Sequence, residues 1–180
     1  MTITTVLVVY ATLVATLALG ISLLILRALP LGTLESARGD ALARQDGGPD
    51  VGSPAPPFTV RTNTGALLDT ADLAGSTYLL TFLSSNCPGC LAAVPGLVGY
   101  ARQPGNSHRL VTVIVGESQR RAELEQRLAS IAIIIGEPEA GPIAAAYRIT
   151  LFPSYLLISE TGTVLANGQS VPDLPQPQRQ

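Results

Sequence analysis

Two stretches of this chain, "TYLLTFLSS" at residues 77–85 and "RLVTVIVGE" at 109–117, leave it little choice of architecture. Both are apolar at nearly every position rather than every second one. A strand made from either must therefore be covered on both faces. Segments with helical or turn patterns separate these runs from further short strands, which points to an α/β domain with helices packed on both sides of a central sheet. "PFTVRTNTGALLD" reads as two short strands around a turn at Asn63–Gly65, and "LAAVPGLVGYARQ" as a helix interrupted by Pro95. Ser118 is expected to cap a helix running to Ala129. "IAIII", "SYLLIS" and "VLANG" supply further strands, with a short helix in "PIAAAYRI".

The chain has 180 residues, enough for one ordinary core and an accessory segment. Its net charge of -2 excludes the basic field that holds a nucleic-acid backbone, so no nucleic-acid partner is expected. From Ile3 to Leu26 there is no charged residue, and about 20 apolar residues of helix suffice to cross a bilayer. Residues 3–26 are thus expected to meet the membrane, as an uncleaved single-pass anchor in preference to a cleaved signal peptide: no basic residue precedes the run and no small-x-small cleavage site follows it. This divides the chain into an anchor at 1–27, a juxtamembrane linker at 28–50 with a short helix over 34–44, an α/β domain at 51–168 and a disordered Pro- and Gln-rich tail at 169–180.

Cys87 and Cys90, in "SSNCPGCLAAVP", are the only cysteines. A disulfide between them closes so small a ring that it removes little entropy from the unfolded chain, which makes a structural staple a poor explanation. Zinc takes four N or S ligands, and beyond these two sulfurs there is only His108 in a polar turn, so no metal site is assigned. Redox exchange is the reading left. A buried strand followed by Cys-Pro-Gly-Cys and a helix sets Cys87 at the helix N-terminus, where unpaired N–H groups favour an anion. Pro88 suits the first helical turn because its missing N–H costs nothing there. Cys87 is then the attacking thiolate and Cys90, one turn along, the resolving thiol. Motifs of this kind lower the attacking cysteine's pKa to roughly 3.5–7.5.

"VGSPAPPFTVRTNTGALLDTADLAGSTYLLTFLSSNCPGCLAAVP" resembles the opening of a thioredoxin-fold protein of the TlpA/ResA type, and "YRITLFPSYLLISETGTVL" resembles that family's later proline-containing segment. The resemblance covers residues 51–168 and is greatest to the membrane-anchored MauD-type members. It implies a thioredoxin fold, a central mixed β-sheet flanked by helices behind an N-terminal transmembrane helix. It also implies a cis peptide before Pro153, with Phe152, Pro153 and Pro88 contacting the substrate. The implied activity is a thiol-disulfide oxidoreductase whose partners are client protein thiols and disulfides, with a membrane thiol as electron donor. It carries no cofactor beyond the redox-active Cys87–Cys90 disulfide. By this analogy the domain faces outside the cytoplasm at the cell membrane, although Arg27 directly after the span argues for the opposite orientation.

The chain departs from the family pattern at several positions. Asn86 stands where a Trp usually precedes the first cysteine, Thr81 where thioredoxins carry a buried acid, and Ala93 where some relatives carry a glutamate. The proton acceptor for Cys90 is consequently unassigned, with Glu117 and Glu137 as distant candidates. A thiol peroxidase is the alternative enzyme reading, since Ser84 lies three residues before Cys87, but Leu80 occupies the proline position of that motif. A non-catalytic copper chaperone or assembly factor requires His108 to reach the cysteines.

Overall fold

The computed structural model describes residues 3–28, 47–104 and 106–175. The chain divides into two compact units, 1–43 and 44–180.

In the first unit, α1 runs from Ile3 to Ala28. Two of its threonines bond to the preceding turn: the Thr12 hydroxyl donates to the Val9 carbonyl at 2.9 Å and that of Thr16 to the Leu13 carbonyl at 3.0 Å. Among the described residues no helix is long and apolar enough to cross a membrane. The structure therefore does not support the transmembrane helix expected over 3–26. The helix expected over 34–44, with most of the linker, lies outside the described residues.

The second unit opens with an antiparallel hairpin of β1 (Thr59–Arg61) and β2 (Leu67–Asp69), closed by Gly65 at φ +84°. A capped 3₁₀ turn over Thr70–Leu73 leads into β3 (Tyr78–Ser84). Then follow α2 (Pro88–Ala101), β4 (Arg109–Val115), α3 (Arg120–Leu128), β5 (Ile133–Glu137), α4 (Pro142–Ala146), β6 (Ser154–Ile158) and β7 (Val164–Gly168). The five longer strands form one mixed sheet in the order β5-β4-β3-β6-β7. β3, β4 and β5 are mutually parallel, while β6 runs antiparallel to both β3 and β7.

The two unbroken apolar runs occupy the centre of this sheet. Val111 and Val113 on one face of β4 and Ile114 on the other are all 0 % exposed, as a doubly covered strand must be. One face packs against α4 and the hairpin, with Leu80, Phe82, Val113, Ile143 and Tyr147 in a single cluster. The other packs against α2 and α3, with Leu79, Leu83, Cys90, Leu97, Ile114 and Leu124 in a second. Residues 47–55 run beside the far edge of the sheet: Gly52 N–H donates to Val164 O at 2.8 Å, Val164 N–H to Ser53 O at 3.0 Å, and the Asn167 amide to Pro49 O at 3.0 Å.

Local expectations are corrected at four places. α2 passes through Pro95 unbroken. Pro95 and Gly96 lie on its exposed side, where water can satisfy the carbonyl that loses its partner, while Cys90, Val94, Leu97 and Tyr100 form the buried stripe. Ser118 does not cap α3, which starts at Arg120; its hydroxyl donates instead to Ser85 O at 2.7 Å. β5 begins at Ile133, because Ile131 and Ala132 N–H both close the end of α3 on Leu128 O. Residues 169–175, expected as the start of a disordered tail, are held in place: a 3₁₀ turn over Val171–Asp173 is closed by a Ser170–Asp173 capping box, and Leu174 is buried against α2. Residues 176–180 lie outside the described set.

Glu137 has an unexpected structural task. Its buried carboxylate accepts from Ile143 N–H at 2.8 Å and Ala144 N–H at 3.1 Å, capping α4 from the end of β5. A Cβ on Gly141 would sit 2.6 Å from the Glu137 side chain, so this cap requires glycine at 141. Glu137→Ala leaves two buried donors unpaired and should lower unfolding stability by about 2 kcal/mol, measured by urea denaturation.

Candidate active site

The site forms where β3 ends and α2 begins. Ser84 closes the strand, Ser85 and Asn86 turn the chain, and Cys87 is the N-cap of α2 with Pro88 in its first turn. Cys87 makes no side-chain cap bond, and its backbone is extended (φ -96°, ψ 114°). Its sulfur thus lies in front of the helix N-terminus, partly exposed, whereas Cys90 is 0 % exposed. Both are free thiols.

Distinct partners hold the two sulfurs. Ser84 N–H donates to Cys90 Sγ at 3.3 Å, tying the first turn of α2 back to the end of β3. The Cys87 thiol donates to the carbonyl of Phe152 at 3.6 Å. That carbonyl belongs to the Phe152–Pro153 peptide, which is cis as the resemblance implied. The Ser154 hydroxyl closes this loop on Leu151 O at 2.6 Å, and Phe152 packs between the two core clusters. Cys87, Pro88 and Cys90 are thereby brought to one place with Phe152 and Pro153 by two separate parts of the chain.

Burial pushes the Cys90 thiol up to about 12; the Ser84 N–H opposes the rise and the neighbouring Cys87 adds to it. The Tyr155 phenol is also pushed up to about 12, by burial first and by Cys90 second, which places it within electrostatic reach of the buried sulfur. Sequence reasoning missed Tyr155. Its position is nonetheless legible from strand alternation: two residues after Pro153, it falls on the α2 side of β6.

The other candidates fall elsewhere. Glu117 is exposed and Glu137 is committed to α4, so neither serves Cys90. His108 Nδ1 lies 3.3 Å from Tyr100 Oη, ten residues beyond Cys90 and about 15 Å along α2. Among the described residues no three His, Cys, Asp or Glu side chains form a group able to hold a metal ion. Asn86, in the tryptophan position, donates through its amide to Glu139, while Arg120 donates to the Asn86 carbonyl at 3.4 Å, giving the rim beside Cys87 a polar character. A second brace was also missed. The Ser85 hydroxyl accepts from Ser118 N–H at 3.2 Å, and Gly116 at φ +91° leaves room for it, since a Cβ there would lie 2.7 Å from Ser85 Oγ.

These contrasts make the two thiols unequal. At neutral pH iodoacetamide should modify Cys87 alone in the folded protein, with Cys90 labelled only on unfolding, as peptide mass spectrometry would show. Stability has the corresponding sign. Below the ordinary thiol value of 9.0 Cys90 is protonated in both states; between 9.0 and about 12 only the unfolded chain ionises. Urea midpoints should therefore fall as pH rises above about 9, and Cys90→Ala should flatten that fall.

No family model matches the chain, and no curated protein matches it. Solved structures do. The thioredoxin domain of a thiol-disulfide oxidoreductase from Bacteroides vulgatus superposes with a TM-score of 0.60 at 20% identity, over 70% of this chain and 93% of that one. A secreted disulfide oxidoreductase from Mycobacterium tuberculosis gives 0.54 at 23% identity, over 63% and 83%. A thiol-disulfide oxidoreductase from Bacteroides fragilis gives 0.56 at 19% identity, over 68% and 91%. With its mixed sheet and flanking helices, the chain has the thioredoxin-like α/β fold.

Proposed function

We propose that this protein is a thiol-disulfide oxidoreductase that exchanges disulfides with client proteins through Cys87 and Cys90. The reading is carried by one observation: a partly exposed thiol at a helix N-terminus stands over a fully buried one, with the cis-proline loop carbonyl 3.6 Å from the outer sulfur. Cys87, partly exposed at the N-terminus of α2, attacks a client disulfide. Cys90 then attacks Cys87 and releases the client thiol, leaving the Cys87–Cys90 disulfide as the oxidised state. Pro88, Phe152 and Pro153 border the approach and form the client platform. The names of the structural neighbours agree with this chemistry.

Membrane anchoring belongs to the same proposal and rests on the uncharged run from Ile3 to Leu26. With the resemblance to anchored relatives, it assigns residues 3–26 to the membrane, places the domain outside the cytoplasm and calls for a membrane thiol as electron donor. Retention of the full chain in carbonate-washed membranes, and its release on deletion of residues 1–27, would check this. The copper alternative finds no support in the position of His108 beside Tyr100. In the peroxidase alternative Ser84 would serve the reacting sulfur, but its hydroxyl accepts from Asn86 N–H at 3.2 Å.

Two variants test the exchange. Cys87→Ser should abolish reduction of a model protein disulfide, a loss of at least about 10³-fold because no other thiol is accessible. Cys90→Ser should retain capture and accumulate a covalent mixed disulfide, visible on a non-reducing gel. A Cys87→Ser protein that still exchanged disulfides would overturn the assignment.

A further inference from the structure

The core behind Cys90 is more polar than its setting requires. By strand alternation Thr81 lies on the α2 side of β3, between Leu79 and Leu83, which share a cluster with Cys90. Register sets Thr81 opposite Thr112 on β4 and Tyr155 on β6. Three hydroxyl-bearing side chains thus stand abreast on three adjacent strands under α2, each at most 1 % exposed. Among the described residues the hydroxyls of Thr81 and Thr112 have no hydrogen-bond partner. An unpaired buried hydroxyl costs stability that a valine of the same shape would not. Departures from that rule concentrate where function requires them.

No carboxylate approaches this face among the described residues. Glu137 lies on the opposite side of the sheet, bound to α4. α3 presents Leu124 and Leu128, and its Arg121 and Glu125 pair with each other at 3.0 Å. The 3₁₀ turn presents Val171 and Leu174, while Asp173 accepts from Ser170 and Gln169 N–H. Tyr100 and His108 pair at the far end of α2. Cys87 is the titratable group that acts on Cys90, and Cys90 in turn acts on Tyr155.

We propose that the hydroxyls of Thr81, Thr112 and Tyr155 form a neutral donor strip that stabilises the Cys90 thiolate during resolution, in place of a buried carboxyl. The proposal rests on the disulfide-exchange reading above. In that step Cys90 Sγ gives up its proton and bonds to Cys87 Sγ, while the bond from Cys87 to the client sulfur breaks. The client sulfur leaves with the electron pair and takes up a proton, so it is reduced as Cys90 is oxidised. Neutral donors assist because they stabilise the anion as it forms without adding a negative charge of their own. Ser84 N–H already supplies one such donor. The raised position of Tyr155 keeps it protonated, and hence a donor, throughout the neutral range.

The test mixes the reduced full-length chain with a chromogenic aryl disulfide in a stopped-flow instrument. Capture by Cys87 releases one coloured thiol, and resolution by Cys90 releases a second. Tyr155→Phe and Thr81→Val should slow the second release about tenfold and displace its pH profile upward, leaving the first release unchanged. Thr81→Ser should restore the parent rate, and Thr112→Val should slow the second release less than Thr81→Val does. Urea midpoints of the valine variants at or above the parent's would show intact folding. Second-phase rates within about twofold of the parent in all three substitutions would overturn the strip, as would a Thr81→Ser protein as slow as Thr81→Val. A parent protein releasing only one thiol per chain would instead overturn the exchange reading beneath it.

Discussion

One hydrogen bond joins the halves of the site: Ser84 N–H to Cys90 Sγ. It links the last residue of the central strand to the first turn of α2 and fixes which sulfur is inside. α2 presents Cys90, Val94, Leu97 and Tyr100 to the sheet, while Cys87, its N-cap, stays partly exposed in front of the first turn. The inequality of the two thiols thus follows from their places, one at the N-cap and one inside the first turn of α2.

Around that bond, the turn is braced from two directions. Ser118 and Ser85 exchange hydrogen bonds across the ends of adjacent parallel strands, which holds residues 85–87 against β4. From the other side the Leu151–Ser154 loop brings the Phe152 carbonyl to Cys87. Neither brace uses a charged group. The charged residues nearby, Glu139, Arg120 and Arg121, sit at the rim, where they can bear on partner choice without disturbing the sulfur chemistry.

Much of this was legible in the sequence because it depends on short-range patterns. Apolar runs without alternation announced the central strands, and Cys-Pro-Gly-Cys after such a run announced an N-cap sulfur. What stayed hidden depends on distant partners. Pro95 reads as a helix break until the structure shows its exposed side, and Ser118 reads as a cap until Ser85 is seen beside it. Glu137 has no sequence signal as a helix cap, because its donors at Ile143 and Ala144 return to it only through the turn at Gly141. Thr81 was noticeable only as a missing acid; its relation to Thr112 and Tyr155 appears once strand register is known.

The path of residues 47–55 beside β7 has a bearing on association between copies of the chain. An outer strand offers unpaired amides and carbonyls to any passing extended segment, the usual route to β-mediated aggregation. Here Val164 spends its amide on Ser53 and its carbonyl on Gly52, and the Asn167 side chain fastens Pro49 across the same border. The polypeptide that enters the domain thus also covers the Val164 end of this outer strand. An extended segment of another chain therefore finds the Val164 end of β7 already occupied.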